Sequence, residues 1–345
     1  MPIEFLSKEQ RSHYGQFAGE PNENQLARYF HLDNADLLII NNRRGNHNRL
    51  GFALQLTTVR FLGTFLADPT IVPPGAVTFV AQQIGDVDVS CLYKYMERKQ
   101  TRYAHSAEIQ NRYGYHEFNT APWRFKLSRL LYARSWISNE RPSVMFDFAS
   151  AWLIHNKVLL PGATTLSRLI SEIRERTNNR LWQRLAVLPN AAQKAKLKEL
   201  LNVSEGAGSS KFDLLRRGPV NISAPSFNAA INRYVEFQAF GIHALNFKHI
   251  PPSRLKNLAR YAGIASMPKI SRMPEDRCIA TLVAFVHVFE ITALDDALDV
   301  LDLLITHVAS EAKKIGRKKR LRTLKDLDKS ALTLAEVCAF VLNEE

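Results

Sequence analysis

Apolar residues recur every three or four positions along most of the chain, which is the spacing of an amphipathic helix. In the stretch 25–30 this spacing places Leu26, Tyr29 and Phe30 on one face. A longer helix is predicted over about 48–66, with core candidates Leu50, Ala53, Leu54, Phe61, Leu62 and Phe65. The pattern indicates neither a strand pair nor an internal repeat. It therefore predicts an all-α, multi-helical protein.

Local signals predict where several helices begin and end. Ser7 and Gln10 have the spacing of a capping box, and Gly85 and Gly114 stand where glycine commonly ends a helix. From 274 to about 319 the helical pattern contains no Pro or Gly before Gly316. This predicts one long helix or two helices joined end to end. The stretch 204–210, SEGAGSS, is the strongest linker signal in the chain.

Composition excludes several classes of protein. Hydrophobic residues make up 46% of the 345 residues, which is typical of globular proteins and not of disordered or collagen-like chains. The three cysteines lie far apart and indicate a reducing compartment, not a disulfide framework. The longest apolar run, 278–289, is shorter than the roughly 20 residues that span a bilayer. It predicts a buried helix, and neither a membrane span nor a signal peptide is expected.

The net charge of +13 is distributed unevenly. Residues 1–93 carry a net charge of −2, whereas 94–134 hold nine Lys and Arg against three Asp and Glu. Residues 313–325 hold eight more basic side chains. This distribution favours a polyanionic partner, although a solvated basic surface is the plainer alternative.

The first candidate site is the segment ADLLIINN-RRGN-HNRLGFALQL, in which a short helix, a turn with glycine and a longer helix follow one another. This outline matches a helix-turn-helix. Basic and amide side chains at the start of a second helix suit DNA phosphates and base edges. The candidates are Arg43, Arg44, His47, Asn48 and Arg49. An ordinary helical hairpin with an exposed basic turn is the alternative.

The second candidate site repeats this outline around a Pro-Gly turn at 161–162. Hydroxyl groups and arginines follow it, and these groups suit phosphate and groove contacts. The candidates are Thr164, Thr165, Ser167, Arg168 and Arg174. The alternative is a salt-bridged surface helix, because Glu172 and Glu175 lie within one turn of Arg176.

The third candidate site is the segment 94–118, where basic residues alternate with tyrosines. We expect Lys94, Arg98, Lys99 and Arg102 to contact a DNA backbone, and the most positive stretch, 94–134, to serve mainly phosphates. We expect Tyr93, Tyr95, Tyr103, Tyr113 and Tyr115 mostly to pack in the core. For the basic segment 313–325 a solvated hinge between helices is slightly favoured over a DNA contact.

Catalytic patterns are weak. Asp295, Asp296, Asp299 and Asp302 cluster on the predicted long helix, and three of them, Asp295, Asp299 and Asp302, share a face. Clustered carboxylates can hold a divalent metal. A solvated acidic stripe is the favoured interpretation, because no Glu-x-x-His partner accompanies them. Neither a Gly-rich phosphate loop nor a nucleophile elbow is found. We therefore expect no catalytic residue, metal or cofactor.

Several segments resemble Tn-three family transposases. The resemblance is densest in the run 6–73, where RYFHL and RRGNHNRLGFALQL are its most specific parts. It continues in TRYAHSAEIQNRYGYHEF, KVLLPGATTLSRLISEIRER, FDLLRRGP, IPPSRLKNLARYA and IATLVAFVHVFE. Together these segments extend over nearly the whole chain.

The resemblance implies a function and an architecture. Members of this family are longer, and their helical amino-terminal part recognises the terminal inverted repeats of the transposon. A region beyond it contributes to dimerisation, and an RNase H-like domain with three acidic residues cuts and joins strands with divalent metal. The chain is expected to end before that domain, as a natural truncation, a pseudogene product or a cut-down piece, and so not to be an enzyme.

The combined prediction is a DNA end-recognition module of a replicative transposase. Residues 1–134 and 135–203 are expected to form two helical DNA-binding units, 204–210 a linker, and 211–345 a helical dimerisation or connector region. The expected partners are duplex DNA and either a second copy or full-length transposase, in the bacterial cytoplasm at the nucleoid. The alternative is a helical interaction or regulatory protein that uses its apolar 275–308 helix.

Overall fold

The computed structural model describes residues 5–202 and 210–342. Within them the prediction of an all-α fold is confirmed, since helices follow one another and no strand occurs; a single parallel bridge joins His116 and Val158. Of the predicted linker 204–210, only Ser210 lies among the described residues.

The chain divides into two compact units, Met1–Arg180 and Leu181–Glu345. The predicted boundary at 134/135 falls inside a helix, Trp123–Ile137, and the division between the units falls inside another, Ala163–Val187. The units therefore differ in extent from the predicted domains. The functional roles assigned to those domains stay predictions.

The first unit contains ten α-helices among its described residues, and the last of them continues past the end of the unit. These are α1 Lys8–His13, α2 Glu23–Gln25, α3 Asn34–Asn41, α4 Asn46–Leu62, α5 Pro74–Gln83, α6 Leu92–Met96, α7 Lys99–Tyr113, α8 Trp123–Ile137, α9 Pro142–His155 and α10 Ala163–Val187. A π-helical turn, Leu26–Phe30, follows α2.

Helix α4 is the centre of the first unit. Of its core candidates, Leu50, Ala53, Leu54 and Leu62 are buried, while Phe61 and Phe65 are partly buried against the same cluster. Burial is also continuous from Leu50 to Val59, so α4 is enclosed on every side over this stretch rather than along one stripe. A helix surrounded in this way places its first turn at the rim of a rigid core.

A second apolar cluster lies under α8, α9 and the beginning of α10. Its fully buried members include Leu127, Leu131, Met145, Leu153 and Ile170. These side chains recur at helical spacing and hold the exposed faces of α8 and α10 in fixed positions.

The second unit is organised by one very long helix. Its helices are α11 Ala191–Glu199, α12 Lys211–Leu215, α13 Ala224–Gln238, α14 Pro252–Ile264, α15 Met267–Ser271 and α16 Glu275–Leu342. The apolar run predicted as a buried helix is confirmed, because residues 278–286 of α16 are buried. Helix α16 is long and apolar enough by composition to cross a membrane, but 61% of its most apolar 18-residue window is buried inside the protein.

The remainder of α16 corrects one prediction. Residues 313–325 were favoured as a hinge, but the helix continues unbroken through Gly316. Glycine inside a helix is about 1 kcal/mol less favourable than alanine. This cost is too small to end a helix whose flanking residues are good helix formers. Of the two predicted alternatives, one long helix or two joined end to end, the structure shows one helix, and it extends beyond the expected end at about 319.

The signals for helix ends are confirmed. Ser7 and Gln10 form the capping box at the start of α1, with both hydrogen bonds at 3.0 Å. Gly114 takes the left-handed conformation at the end of α7. Gly85, with a φ of +100°, follows α5.

Candidate nucleic-acid interface

The turn between α3 and α4 is short because Gly45 reverses the chain there. Its φ is +81°, and a Cβ at this position would lie 2.8 Å from Cε1 of His47. Gly45 is also the residue before the first turn of α4 and offers no side chain to cap it. The positive end of the α4 dipole is therefore unblocked.

Arg49 fixes this turn from inside the helix. Its Nε donates to the carbonyl of Arg43 at 3.3 Å and its Nη2 donates to the carbonyl of Asn41 at 3.1 Å. These carbonyls lie at or just past the end of α3, where backbone oxygens lack helical partners. Arg49 thus stabilises the turn.

Arg43 is held by α7 and by the core. Its Nη2 lies 2.6 Å from Oε2 of Glu108, and its guanidinium carbon lies 4.2 Å from the ring centroid of Phe52. Burial alone would raise the pKa of Glu108, but hydrogen bonds and charge from Arg43 and Arg112 hold that pKa below its ordinary value. Much of the charge of Arg43 is therefore satisfied within the first unit.

Arg44 and His47 are the candidates at this turn that remain open. Arg44 is exposed, and it makes no ion pair among the described residues. Its carbonyl accepts from Nδ2 of Asn48 at 2.9 Å, so the Asn48 amide is partly used. His47 is half-buried beside Gly45. The turn thus presents one free guanidinium and one imidazole next to an uncapped helix start.

At the start of α10, some of the five candidate side chains are exposed and others are held inside the unit. Thr164, Thr165 and Arg168 are exposed, whereas Ser167 is 3% exposed and lies inside the unit. Arg174 donates to the Glu140 carbonyl through Nη1, and burial lowers its pKa. Three of the five side chains can therefore contact a ligand in solvent.

The salt-bridged alternative for α10 finds no support in these contacts. Among the described residues, no ion pair joins Glu172 or Glu175 to Arg168 or Arg176. Arg168 and Arg176 are therefore available as cations.

In the segment 94–118 the basic side chains are mostly open. Lys94, Arg98 and Lys99 are exposed. Arg102 is the exception, because its Nη1 donates to the Ala67 carbonyl and contacts the sulfur of Met96. Three of the four basic candidates thus face solvent.

The tyrosines of this segment only partly pack as predicted. Tyr95 is buried and bonds to Gln55 and His105, and Tyr113 and Tyr115 are half-buried. For Tyr93 and Tyr103 the prediction is wrong, since each is 74% exposed.

Sequence reasoning missed the exposed face of α8 as a surface. Arg124, Lys126 and Arg129 were counted in the charge of 94–134 but not singled out, and Phe125 between them is 65% exposed. The available signal was an aromatic residue flanked by cations on a helix whose buried residues, Leu127 and Leu131, lie on the other face.

The acidic cluster on α16 does not form a compact group. Asp296 is ion-paired with Arg233, with Nη1 2.6 Å from Oδ2, while Asp295, Asp299 and Asp302 are exposed. Within the described part of the chain, no group of three or more His, Cys, Asp or Glu side chains is arranged to hold a metal ion.

Comparison with known proteins gives these surfaces a context. Residues 5–173 match a family model described as a domain of unknown function, DUF4158. Over 344 residues the chain is 58% identical to the transposase for transposon gamma-delta of Escherichia coli strain K12, an alignment that covers 100% of this chain and 34% of the relative. The chain is thus similar over its whole length to a Tn-three family transposase, of which it spans about a third.

Two further transposases of this family show how the similarity is distributed. The transposase for transposon Tn501 of Pseudomonas aeruginosa is 28% identical over 292 residues, which are 85% of this chain and 29% of the relative. The transposase for transposon Tn4556 of Streptomyces fradiae is 37% identical over 134 residues, or 39% of this chain and 15% of the relative. The chain spans about a third of the length of the first two relatives and less of the third. The family resemblance seen in the sequence is confirmed.

Proposed function

We propose that this chain binds duplex DNA at the terminal inverted repeats of a transposon, as the end-recognition part of a Tn-three family transposase. The observation that carries the proposal is that solvent-accessible polar side chains gather at two helix starts in the first unit. Arg44 and His47 stand beside the uncapped start of α4, and Thr164, Thr165 and Arg168 stand at the start of α10. Helix starts with adjacent cations and hydroxyls favour phosphates and bring side chains to base edges.

Within this proposal the candidate residues have different tasks. Those that contact DNA are Arg44, His47, Asn48, Thr164, Thr165 and Arg168, with Lys94, Arg98 and Lys99 on phosphates. Arg43, Arg49, Arg102 and Arg174 act through the protein, since each bonds to a carbonyl, a carboxylate or both. Ser167 packs inside the unit and is left out of the contact set.

We assign recognition, not strand cleavage, to this chain. Two-metal strand transfer requires carboxylates that hold both ions. The best acidic candidate, on α16, has Asp296 already paired with Arg233. The proposal therefore names no catalytic residue and no cofactor, and it places the chain in the bacterial cytoplasm at the nucleoid, where the DNA substrate is found.

The test is binding to a duplex that carries the transposon's own end, compared with a scrambled duplex across a salt series. Arg44→Ala and Arg168→Ala are expected to reduce the preference for the true end, by about 1–3 kcal/mol for each if it contacts a base. Arg272→Ala, an exposed cation of the second unit, is the matched control and should change neither affinity nor preference. Equal, weak binding of the parent chain to both duplexes would overturn the proposal.

A second candidate function is self-association, or pairing with full-length transposase, through α16. Beyond residue 293 this helix exposes apolar side chains at alternating spacings of four and three, which is the heptad pattern of a coiled coil. These are Leu294, Leu298, Leu301, Ile305 and Val308, and Ile315 follows seven residues later. Light scattering after size exclusion tests it: Leu298→Glu with Ile305→Glu should dissociate an oligomer, and a parent chain that is monomeric alone and with full-length transposase would refute it.

A further inference from the structure

We infer that the groove between α8 and α10 binds the sugar–phosphate backbone of one DNA strand, independently of the base sequence. This inference rests on the proposed function in one respect only, which is that the ligand is duplex DNA. It adds a surface that the candidate residues at 43–49 and 164–174 do not include, although Arg124 and Arg129 belong to the positive stretch 94–134, and it assigns that surface affinity without sequence preference.

The groove is a cleft of about 710 Å³ within the first unit. Arg124 and Arg129 reach it from α8, and Arg176 reaches it from α10. Leu169 and Ile173 supply apolar lining from α10, the same side of the helix that covers the core. The cleft therefore combines an apolar floor with guanidinium groups at its edge.

The charges of this groove are unbalanced. Glu172 is its single acidic lining residue against the three arginines. Among the described residues none of these four side chains forms an ion pair, and all four are exposed. Arg129 instead lies over Phe125, with its guanidinium carbon 5.8 Å from the ring centroid, which extends the cationic edge along an exposed aromatic ring. Within the part of the chain that the structure describes, these cations are therefore not neutralised by carboxylates and remain available to a polyanion.

The chemistry of the groove matches a DNA backbone. Deoxyribose offers apolar faces to a floor such as that of Ile173 and Phe125, and phosphates suit guanidinium forks. The surface also continues along α10, where Thr165, Arg168, Glu172 and Arg176 follow one another at spacings of three and four residues on one side of the helix. A DNA strand that contacts the start of α10 can therefore continue along the same side of this helix into the groove. This continuity favours DNA over an acidic peptide as the occupant.

The decisive measurement is the salt dependence of DNA binding by a triple variant, Arg124→Ala, Arg129→Ala and Arg176→Ala. Each neutralised phosphate contributes about 0.9 to the slope of log K against log salt. The triple variant should lower that slope by about 2–3 and weaken binding to the end duplex and the scrambled duplex by the same factor. Lys256→Ala, Arg260→Ala and Arg272→Ala remove equal charge from exposed positions in the second unit and should leave the slope unchanged.

A second variant acts in the opposite direction, so misfolding cannot imitate it. Glu172→Gln removes the one acidic group of the groove and should tighten binding to both duplexes several-fold at low salt. An unchanged slope in the triple variant, with folding verified by circular dichroism, would overturn the inference. A loss confined to the end duplex would also overturn it, because the groove would then be selecting sequence.

The two proposals can fail separately. If the parent chain shows no preference for the true end but the triple variant still lowers the salt slope, the end-recognition proposal fails and the groove stands. If the preference is present and the groove variant changes nothing, only the groove is excluded.

Discussion

Arg43 and Glu108 form an ion pair, with Nη2 2.6 Å from Oε2, that ties the turn before α4 to helix α7. The same guanidinium stacks on Phe52, which is fully buried. The neighbouring Arg44 has no such partner among the described residues. Two adjacent arginines that look equivalent in sequence thus have different tasks, one holding the turn and one open to a ligand.

This difference predicts unequal effects of two alanine substitutions on stability. Arg43→Ala should lower the free energy of unfolding by about 1–2 kcal/mol, because it removes a partly exposed ion pair and a cation–π contact. Arg44→Ala should stay within about 0.5 kcal/mol of the parent, as exposed substitutions do. Urea denaturation, with hydrogen exchange in peptides of the first unit, measures both. Equal effects would show that the Glu108 contact contributes nothing.

Replacing glycine with alanine is predicted to have opposite effects on stability at two helical positions. A Cβ on Gly51, in α4, would lie 2.4 Å from Cδ1 of Tyr95, whereas one on Gly316, in α16, meets nothing within 4 Å. Gly51→Ala should therefore destabilise the first unit by about 2–3 kcal/mol through overpacking. Gly316→Ala should stabilise α16 by up to about 1 kcal/mol through helix propensity. Hydrogen exchange resolved by peptide distinguishes the units, and a stabilising Gly51→Ala would contradict the close approach of α4 and Tyr95.

The buried His105 predicts a loss of stability in mild acid. Burial, with the nearby positive charge of Arg43, lowers the pKa of His105 to about 4. Its ordinary pKa is about 6.5, so below that value the unfolded chain binds a proton that the folded chain refuses. The free energy of unfolding should then fall as pH drops from 6.5 to 5, by up to roughly 2 kcal/mol from this residue.

The contribution of His105 can be isolated by comparison with a residue that does not titrate in this range. His105→Gln keeps a hydrogen-bonding group near Tyr95, whose hydroxyl lies 2.9 Å from Nδ1 of His105. The difference between the parent and this variant should shrink as the pH falls toward 5. A difference that stays constant from pH 7 to 5 would show that His105 is not held neutral.

The ion pair between the buried Asp36 and Arg60 predicts a larger loss of stability than the His105 prediction does. Asp36 is 1% exposed and accepts two hydrogen bonds from Arg60, both at 2.8 Å, and one from the Tyr113 hydroxyl at 2.7 Å. Burial would raise the pKa of Asp36, but the hydrogen bonds from Arg60, Tyr113 and the Asp33 backbone, together with the charge of Arg60, outweigh burial and hold that pKa below its ordinary value. Arg60→Ala should destabilise the first unit by about 3 kcal/mol, since it leaves a buried carboxylate unpaired. Tyr113→Phe, which removes one neutral donor, should have about a third of that effect. If urea denaturation gives both variants the same small loss, the carboxylate is solvated in the folded state.

The helices and many of their ends can be predicted from the amino-acid sequence alone. Apolar spacing, the Ser7 capping box and Gly114 act between residues three or four positions apart, so they are visible along the chain. The apolar run 278–289 likewise had to be buried. The family resemblance was also evident, because RRGNHNRLGFALQL is a long and specific match.

Which cations are accessible to a ligand depends on contacts between residues that are distant in sequence. Arg43, Arg49, Arg102 and Arg174 have the same side chain as Arg44 and Arg168, but their partners include Glu108, Ala67 and Glu140, which lie far away in sequence. The groove between α8 and α10 arises in the same way, from two helices brought together by a shared core. Charge is a property of a residue, whereas availability depends on which carboxylates and carbonyls the fold brings within hydrogen-bond distance.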